Sequence, residues 1–264
     1  NGNFSEVGSE LITNGDFSAT GSELLPEGAS PMSGTWGGTG VIVDGKLEKN
    51  GMGIAYLSIT NTPGKSYKAI VDVESLDGNT TFWLAGTNSA PLVVGINTIY
   101  IVAGNLTSFG AAINDGYTSD EGSVINSISV KELGEDWTLE TGWSIGDSKA
   151  VCDGTQVSTS NLYQNVFTIS KSYKTTINVI RTAGTLIIFT GTPSGTITIT
   201  STGTYDFSGL SSSSTALYIQ AQSDFVGSVS NVSVKELGED WTIGTGWSIG
   251  DTKAISAVTG SNSD

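Results

Sequence analysis

Residues 130–147 read VKELGEDWTLETGWSIGD, and residues 234–251 read VKELGEDWTIGTGWSIGD. The two stretches differ only where Leu139 and Glu140 are replaced by Ile243 and Gly244. Their spacing of 104 residues (130 to 234) is the size of one β-sandwich domain. A second match lies inside each period. Lys65-Ser66-Tyr67-Lys68 and Lys171-Ser172-Tyr173-Lys174 each open a strand-like run, YKAIVDV and YKTTINV. The period closes the same way twice, with NSISVKEL at 126–133 and NVSVKEL at 231–237. Identity of this length is not accidental, so two homologous modules share the 264-residue chain.

The chain begins with a shorter repeat. NGNFSEVGSEL at 1–11 is followed by NGDFSATGSEL at 14–24, an offset of 13 residues. Asn-Gly and Gly-Ser supply turns, and one Phe with a Leu-Ile or Leu-Leu pair supplies a thin apolar stripe. Residues 1–25 therefore read as a stalk segment, followed by a first module over 26–133 and a second over 134–237. Residues 238–264 restart the module with WTIGTGWSIGDTKAISAVTG, too few strands to bury both faces of a sandwich. A stalk that leaves Phe4, Leu11, Ile12, Phe17, Leu24 and Leu25 uncovered calls for sister chains, so the expectation is a homotrimer joined through residues 1–25.

Composition sets the fold class. Gly, Ser, Thr and Val dominate, the charged fraction is 14%, and no window carries helical periodicity with a cap at each end. Alternating Val, Ile, Thr and Tyr runs, punctuated by Gly and Asn, describe an all-β chain of tandem antiparallel sandwiches. The first module is read with strands near 35–43, 53–60, 66–74, 80–86, 92–102, 108–114 and 124–132. In the second they fall near 143–152, 162–169, 172–182, 184–190, 194–201, 215–222 and 227–236. Alternation assigns faces: Tyr67, Ala69, Val71 and Val73 share one side, with Lys68 and Asp72 on the other. Leu217, Ile219 and Ala221 likewise alternate with Tyr218 and Gln220.

The net charge of −15 repels phosphate backbones and anionic lipid, which argues against nucleic acid as a partner. No apolar run reaches membrane-spanning length, so membrane insertion is not expected. With no histidine and one cysteine, Cys152, the chain lacks every Ser-His or Cys-His nucleophile arrangement and any internal disulfide. Close carboxylate pairs exist at Asp72 with Glu74, Asp120 with Glu121, and Glu135 with Asp136. The last recurs as Glu239-Asp240 at the module boundary and so reads as linker charge rather than a glycosidase pair. Cys152 aligns with Ser256, where a small residue suffices. The chain is read as no enzyme.

GSELITNGDFSATGSE at the start, the Tyr-led strand after TPGKSYK and the closing INSISVKEL resemble carbohydrate-binding-module jelly rolls of families four and nine. The version with a V-S-V-K-E-L close and a WSIGD opening is similar to modules of bacteriophage tail-fibre and virion structural proteins. The resemblance covers roughly residues 10–237. It implies a jelly roll displayed at the virion surface, outside the cell, with host cell-surface glycans, sister chains and other virion proteins as partners. It also implies a structural calcium ion held in part by an Asp on the last strand. Asn126 and Ser230 stand at those positions, leaving Asp16 as a lone carboxylate and a poor hard-cation site, so no cofactor is expected and calcium at Asp16 stays the alternative.

Ligand candidates follow from chemistry. Sugar rings present apolar C–H faces that stack on aromatic rings, while Asn and Gln meet hydroxyls. Trp137 and Trp143 recur as Trp241 and Trp247, and repetition at each boundary suits packing better than recognition. Aromatics not repeated between modules are the better choices: Trp83, flanked by Asn79 and Asn88, then Trp36, Tyr56 and Tyr163. Phe82 and Tyr100 belong to the same group, although most large aromatics in small sandwiches are buried. The reading is a non-catalytic segment of a phage tail or head fibre. The alternatives are spacer modules that bind nothing, a bacterial adhesin, or an accessory region of a polysaccharide-degrading enzyme.

Overall fold

The structure is a computed structural model, and it describes residues 7–25, 32, 35–51, 53–76, 78–106, 110–114, 122–190, 196–211, 213–250 and 252–256. Every regular element among them is a strand, and none is a helix able to cross a membrane. Two short strands come from the amino-terminal repeat, β1 (Val7–Glu10) and β2 (Thr20–Glu23). Next come β3 (Gly37–Gly38), β4 (Gly40–Val43), β5 (Lys46–Lys49), β6 (Ile54–Leu57) and β7 (Ser66–Ser75). They lead to β8 (Thr81–Leu84), β9 (Thr87–Pro91), β10 (Gly95–Val102), β11 (Ala111–Asn114) and β12 (Ser123–Leu133). The second period carries β13 (Thr138–Leu139), β14 (Trp143–Gly146), β15 (Lys149–Cys152), β16 (Ser160–Asn165) and β17 (Ser172–Ala183). It continues through β18 (Leu186–Phe189), β19 (Thr196–Ile199), β20 (Gly203–Leu210), β21 (Ala216–Ala221) and β22 (Val226–Leu237). A hairpin of β23 (Trp247–Ile249) and β24 (Ala254–Ser256) comes last.

The chain divides into two compact units. One, the first module, holds Ala19–Glu135 with Ser144–Asp147; the other, the second module, holds Asn1–Ser18, Asp136–Trp143 and Ser148–Asp264. The first module pairs its strands in the orders β10-β7-β12-β5-β4 and β3-β6-β11-β8-β9. The second repeats this arrangement as β20-β17-β22-β15 and β13-β16-β21-β18-β19, while Ser144–Gly146 of β14 belong to the first unit. All of the recorded pairings are antiparallel, so each module is the sandwich expected from the alternation. Inward side chains of both sheets make one core. In the first module Tyr67, Ala69, Val71 and Val73 of β7 meet Phe82, Leu84 and Ile113 of the opposite sheet.

The shared motifs now have physical jobs. Tyr67 Oη accepts the Thr62 N–H at 2.9 Å and Tyr173 Oη accepts the Thr168 N–H at 2.7 Å, so each tyrosine closes the turn before its strand. The lysine two residues earlier pairs with the glutamate of VKEL, Lys65 with Glu132 and Lys171 with Glu236. The serine between them accepts a backbone N–H, Ser66 from Ile145 at 2.8 Å and Ser172 from Ile249 at 3.0 Å. Ile249 belongs to the restarted module, so hairpin β23–β24 packs within the second unit instead of standing as a body of its own.

Three expectations change. The segment near 143–152 is a hairpin, turned at Asp147-Ser148, both with positive φ. Strands β5, β9, β13 and β20 fall outside the expected segments: β5 carries one apolar side chain, Leu47, between lysines and a glutamate, too short a pattern to read. Residues 1–25 do not stand apart as a stalk among the described residues. β1 pairs with β22 in the second module, and β2 pairs with β12 in the first. Ile12, Phe17 and Leu25 are buried there, Phe17 at 5.1 Å from the Trp137 ring. The apolar stripe that called for sister chains is thus largely covered within one chain; Phe4 lies outside the described residues.

Candidate functional site

Strand alternation sends every second side chain of the β3-β6-β11-β8-β9 sheet away from the core. On β6 these are Ile54 and Tyr56, on β11 Ala112 and Asn114, on β8 Thr81 and Trp83. Register then sets who stands beside whom. Gly37 faces Tyr56, Tyr56 faces Ala112, Ala112 faces Trp83, and Trp83 faces Asn88. The result is one row across five strands, with two half-buried aromatic rings flanking a fully covered alanine. At a strand spacing of ~4.8 Å the two ring-bearing positions stand ~10 Å apart. Gly37 is required by this arrangement. A β-carbon there would overlap the Tyr56 ring, which lies against the bare backbone.

Polar groups border the row. Asn88 is exposed, and its Oδ1 accepts from Thr81 Oγ1 at 3.2 Å and Asn114 Nδ2 at 3.5 Å. The same edge borders an open cavity of about 640 Å³ between β9 and β10, lined by Asn88, Asn97 and Tyr100 among others. Asn97 is committed to the backbone there: its amide donates to Val93 O at 2.7 Å and Gly95 O at 2.9 Å. Its Oδ1 accepts the Val93 N–H at 2.9 Å.

The second module builds the same row from different residues. Thr138 faces Tyr163, Tyr163 faces Tyr218, Tyr218 faces Phe189, and Phe189 faces Thr196. The Tyr163 and Tyr218 ring centroids are 5.0 Å apart, and those of Tyr218 and Phe189 are 6.2 Å apart. All three rings are half-buried, with the core side of the sheet filled by Leu162, Leu217, Ile219, Leu186 and Ile188. One step along the strands runs a second outward row, Asn161, Gln220, Ile187 and Thr198. Glu140 Oε2 accepts from both the backbone N–H and the side-chain amide of Asn161, each at 2.8 Å. Rings edged by amides and hydroxyls, with little charge, suit a neutral polyhydroxylated ligand.

Of the residues singled out from sequence, Trp83, Tyr56 and Asn88 come together in the first row, and Tyr163 takes the place of Tyr56 in the second. Asn79 is exposed in the turn before β8, off the sheet. Trp36 does not join them: it is 8% exposed and sits in the first module's core. Phe82 is buried in the same core. The view that the useful aromatics differ between modules also changes, since Tyr56 with Tyr163, and Trp83 with Phe189, hold equivalent register positions. Tyr218, Phe189, Asn161 and Gln220 were missed as ligand candidates. The alternation of Leu217, Ile219 and Ala221 had already turned Tyr218 and Gln220 outward; only the pairing was invisible.

Trp137 and Trp143 pack inside the second unit, whereas their counterparts Trp241 and Trp247 are exposed. Trp137 donates its indole N–H to Asn14 O at 3.1 Å, and Trp143 donates to Ser160 O at 3.3 Å with its ring beside Phe225. The acidic pairs are held in structural roles. Glu74 pairs with Lys46, and Asp72 accepts from Asn126 Nδ2 at 3.5 Å. The Glu135 and Glu239 carboxylates lie against Gly21 and Gly8. Asp120 and Glu121 lie outside the described residues. Cys152 is buried, burial pushes its thiol above the ordinary range, and it donates to Gln156 Oε1 at 3.2 Å. The calcium site implied by the resemblance does not fit these residues. Asn126 donates where a carboxylate is needed, and both Asp16 oxygens accept from Ser18, which holds the Asp16 carboxyl below its usual range. Among the described residues no three acidic, histidine or cysteine side chains gather as a metal site.

These features define a tandem β-sandwich protein whose modules each turn an aromatic row outward. No protein-family model matches the chain, and no curated protein does. Among solved structures, it is similar to the N-terminal CBM22-1–CBM22-2 tandem domain of Paenibacillus barcinonensis Xyn10C. That match has 8% identity and a TM-score of 0.25, covering 88% of this chain and 98% of that one. It is also similar to the M60 catalytic domain with CBM51-1 and CBM51-2 of Clostridium perfringens ZmpB. There the identity is 6% and the TM-score 0.24, with 88% of this chain and 43% of that one covered.

Proposed function

We propose that the chain is a non-catalytic glycan-binding segment, in which each module offers its outward aromatic row to a host cell-surface polysaccharide. The observation that carries this reading is the recurrence of the row at one register position in both modules, built from different residues. A core requirement would preserve inward residues, whereas both rows face outward. The ~10 Å between the outer ring positions matches a ligand of linked sugar rings laid across the strands. The engagement of Glu74 by Lys46 and of Asp72 by Asn126 agrees with binding without hydrolysis by that carboxylate pair.

We infer a phage virion appendage, a tail or head fibre, as the setting, supported by the WSIGD opening and V-S-V-K-E-L closing motifs. Sister chains and other virion proteins are the partners this setting implies. An accessory region of a polysaccharide-degrading enzyme would use the same face and differ only in what accompanies it. A glycan array probed with the chain and with its Trp83→Ala/Tyr218→Ala variant tests the binding. Saturable signal on one glycan class, lost in the variant while its melting curve is kept, is expected. An array blank for the parent chain would leave only the spacer reading. Mass spectrometry of the native polypeptide and its assembly distinguishes the two settings.

A further inference from the structure

The last strand of each module has one edge only half covered. β5 pairs with β12 over Ser123–Ile125, and β15 pairs with β22 over Gly227–Val229. The remaining edge, SVKELGE at 129–135 and again at 233–239, is identical in the two modules. Each copy receives one Gly-Ser-Glu-Leu strand from the amino-terminal repeat, in the same register. Glu23 faces Lys131 with Thr20 facing Leu133, and Glu10 faces Lys235 with Val7 facing Leu237.

The seat is specific. Glu23 Oε1 accepts the Val130 N–H at 2.8 Å and its Oε2 accepts from Ser129 Oγ at 2.5 Å. Glu10 does the same with the Val234 N–H at 2.8 Å and Ser233 Oγ at 2.5 Å. The next residue donates to the same valine in each case, Leu24 to Val130 O and Leu11 to Val234 O, both at 2.9 Å. The glycine two residues before the glutamate lies under a linker carboxylate, Gly21 under Glu135 and Gly8 under Glu239. An ionised acceptor reaching two donors is a charge-assisted contact that a strand without glutamate at this position cannot make.

We propose that S-V-K-E-L-G-E is a strand-acceptor site for Gly-Ser-Glu-Leu segments, and that it takes the segment of a second copy of this chain as readily as its own. Nothing in the seat distinguishes the two repeats: the donor tetrapeptide, the acceptor heptapeptide and the hydrogen bonds between them are shared. Tethering, together with the packing of Ile12, Thr13 and Phe17 on the second module, assigns each repeat to its module. Antiparallel strand addition of this kind supplies affinity through the backbone and specificity through the glutamate.

The test uses the full chain carrying Glu10→Gln and a fluorescein-labelled peptide VGSELIT, with anisotropy as the readout. Saturable binding is expected, at least tenfold tighter than to the parent chain, whose own strand fills the seat. A VGSQLIT peptide is expected to bind at least tenfold more weakly. No saturation, or equal binding of the two peptides, overturns the proposal. Should the variant fail to fold, isotopically heavy and light parent chains are unfolded and refolded together, then cross-linked with carbodiimide. Glu10–Lys235 links joining heavy to light chains support the exchange, and links confined to one chain overturn it.

Discussion

Trp83 is half-buried on a sheet face, while Phe82 beside it is wholly inside, and that difference decides what each can do. Removing Trp83 empties no core cavity, so Trp83→Ala is expected to cost about 1 kcal/mol of stability or less. Its loss of stacking surface is expected to weaken glycan binding by about tenfold, roughly 1.4 kcal/mol. Calorimetric titration alongside a melting curve separates the two effects. Phe82→Ala should reverse them, with about 3–5 kcal/mol lost in stability. Two buried groups set the alkaline limit. Burial raises the Cys152 thiol above 9.0 and the Tyr67 hydroxyl above 10.0. A raised folded-state value means that the folded form holds its proton longer. The stabilisation is therefore complete below the ordinary values and lost as pH rises through the folded ones. Melting temperature is expected to fall as pH rises above 9, and the native Cys152 thiol to resist a disulfide reagent at pH 8 that labels it in denaturant. A thiol labelled in the native state would show that burial does not protect it.

Strands explain which parts of this architecture were legible. Long alternating runs such as Tyr67–Val73 announce both element and face, because period two is visible without any partner. The face of Tyr218 was visible for the same reason. Its neighbours were not: Tyr163 is 55 residues earlier (218 − 163) and Phe189 is 29 earlier (218 − 189), and register between distant strands leaves no local trace. Trp36 illustrates the opposite failure, an aromatic in a Gly-rich stretch that resembles an exposed loop yet folds into the core. The latch strands were hidden because four-residue β1 and β2 bury little; their glutamates, not their apolar residues, seat them. Glu23→Ala leaves the Val130 N–H and the Ser129 hydroxyl without their acceptor, at an expected cost of about 2–3 kcal/mol. Thermal unfolding of the variant checks this, and an unchanged first-module transition would mean that water replaces the carboxylate without loss.

At the scale of the whole chain, order along the sequence and membership in a module part company. Residues 7–18 precede the first module, yet they belong with the second. Their contribution there is substantial. Phe17 is 1% exposed against Trp137, Ile12 is 7% exposed, and Gly15 lies so close to the Val232 backbone that a β-carbon would overlap it. Gly15 O accepts the Val232 N–H at 2.8 Å, and Thr13 exchanges two hydrogen bonds with the Gln164 side chain, at 2.9 and 3.0 Å. Burying Phe17 and Ile12 alone is worth about 1.5–3 kcal/mol each, before the β1 ladder is counted. Because each module has its own core, two unfolding transitions are expected, and deletion of residues 1–18 should act on only one. The second module's transition is expected to move down by about 4 kcal/mol or more, while the first module keeps β2 and its transition stays in place. Hydrogen exchange assigns the transitions, with Tyr173-strand amides reporting on one module and Tyr67-strand amides on the other. If the deletion loosens the first module and spares the second, the repeats serve the modules in simple chain order and the crossed assignment of β1 and β2 is wrong.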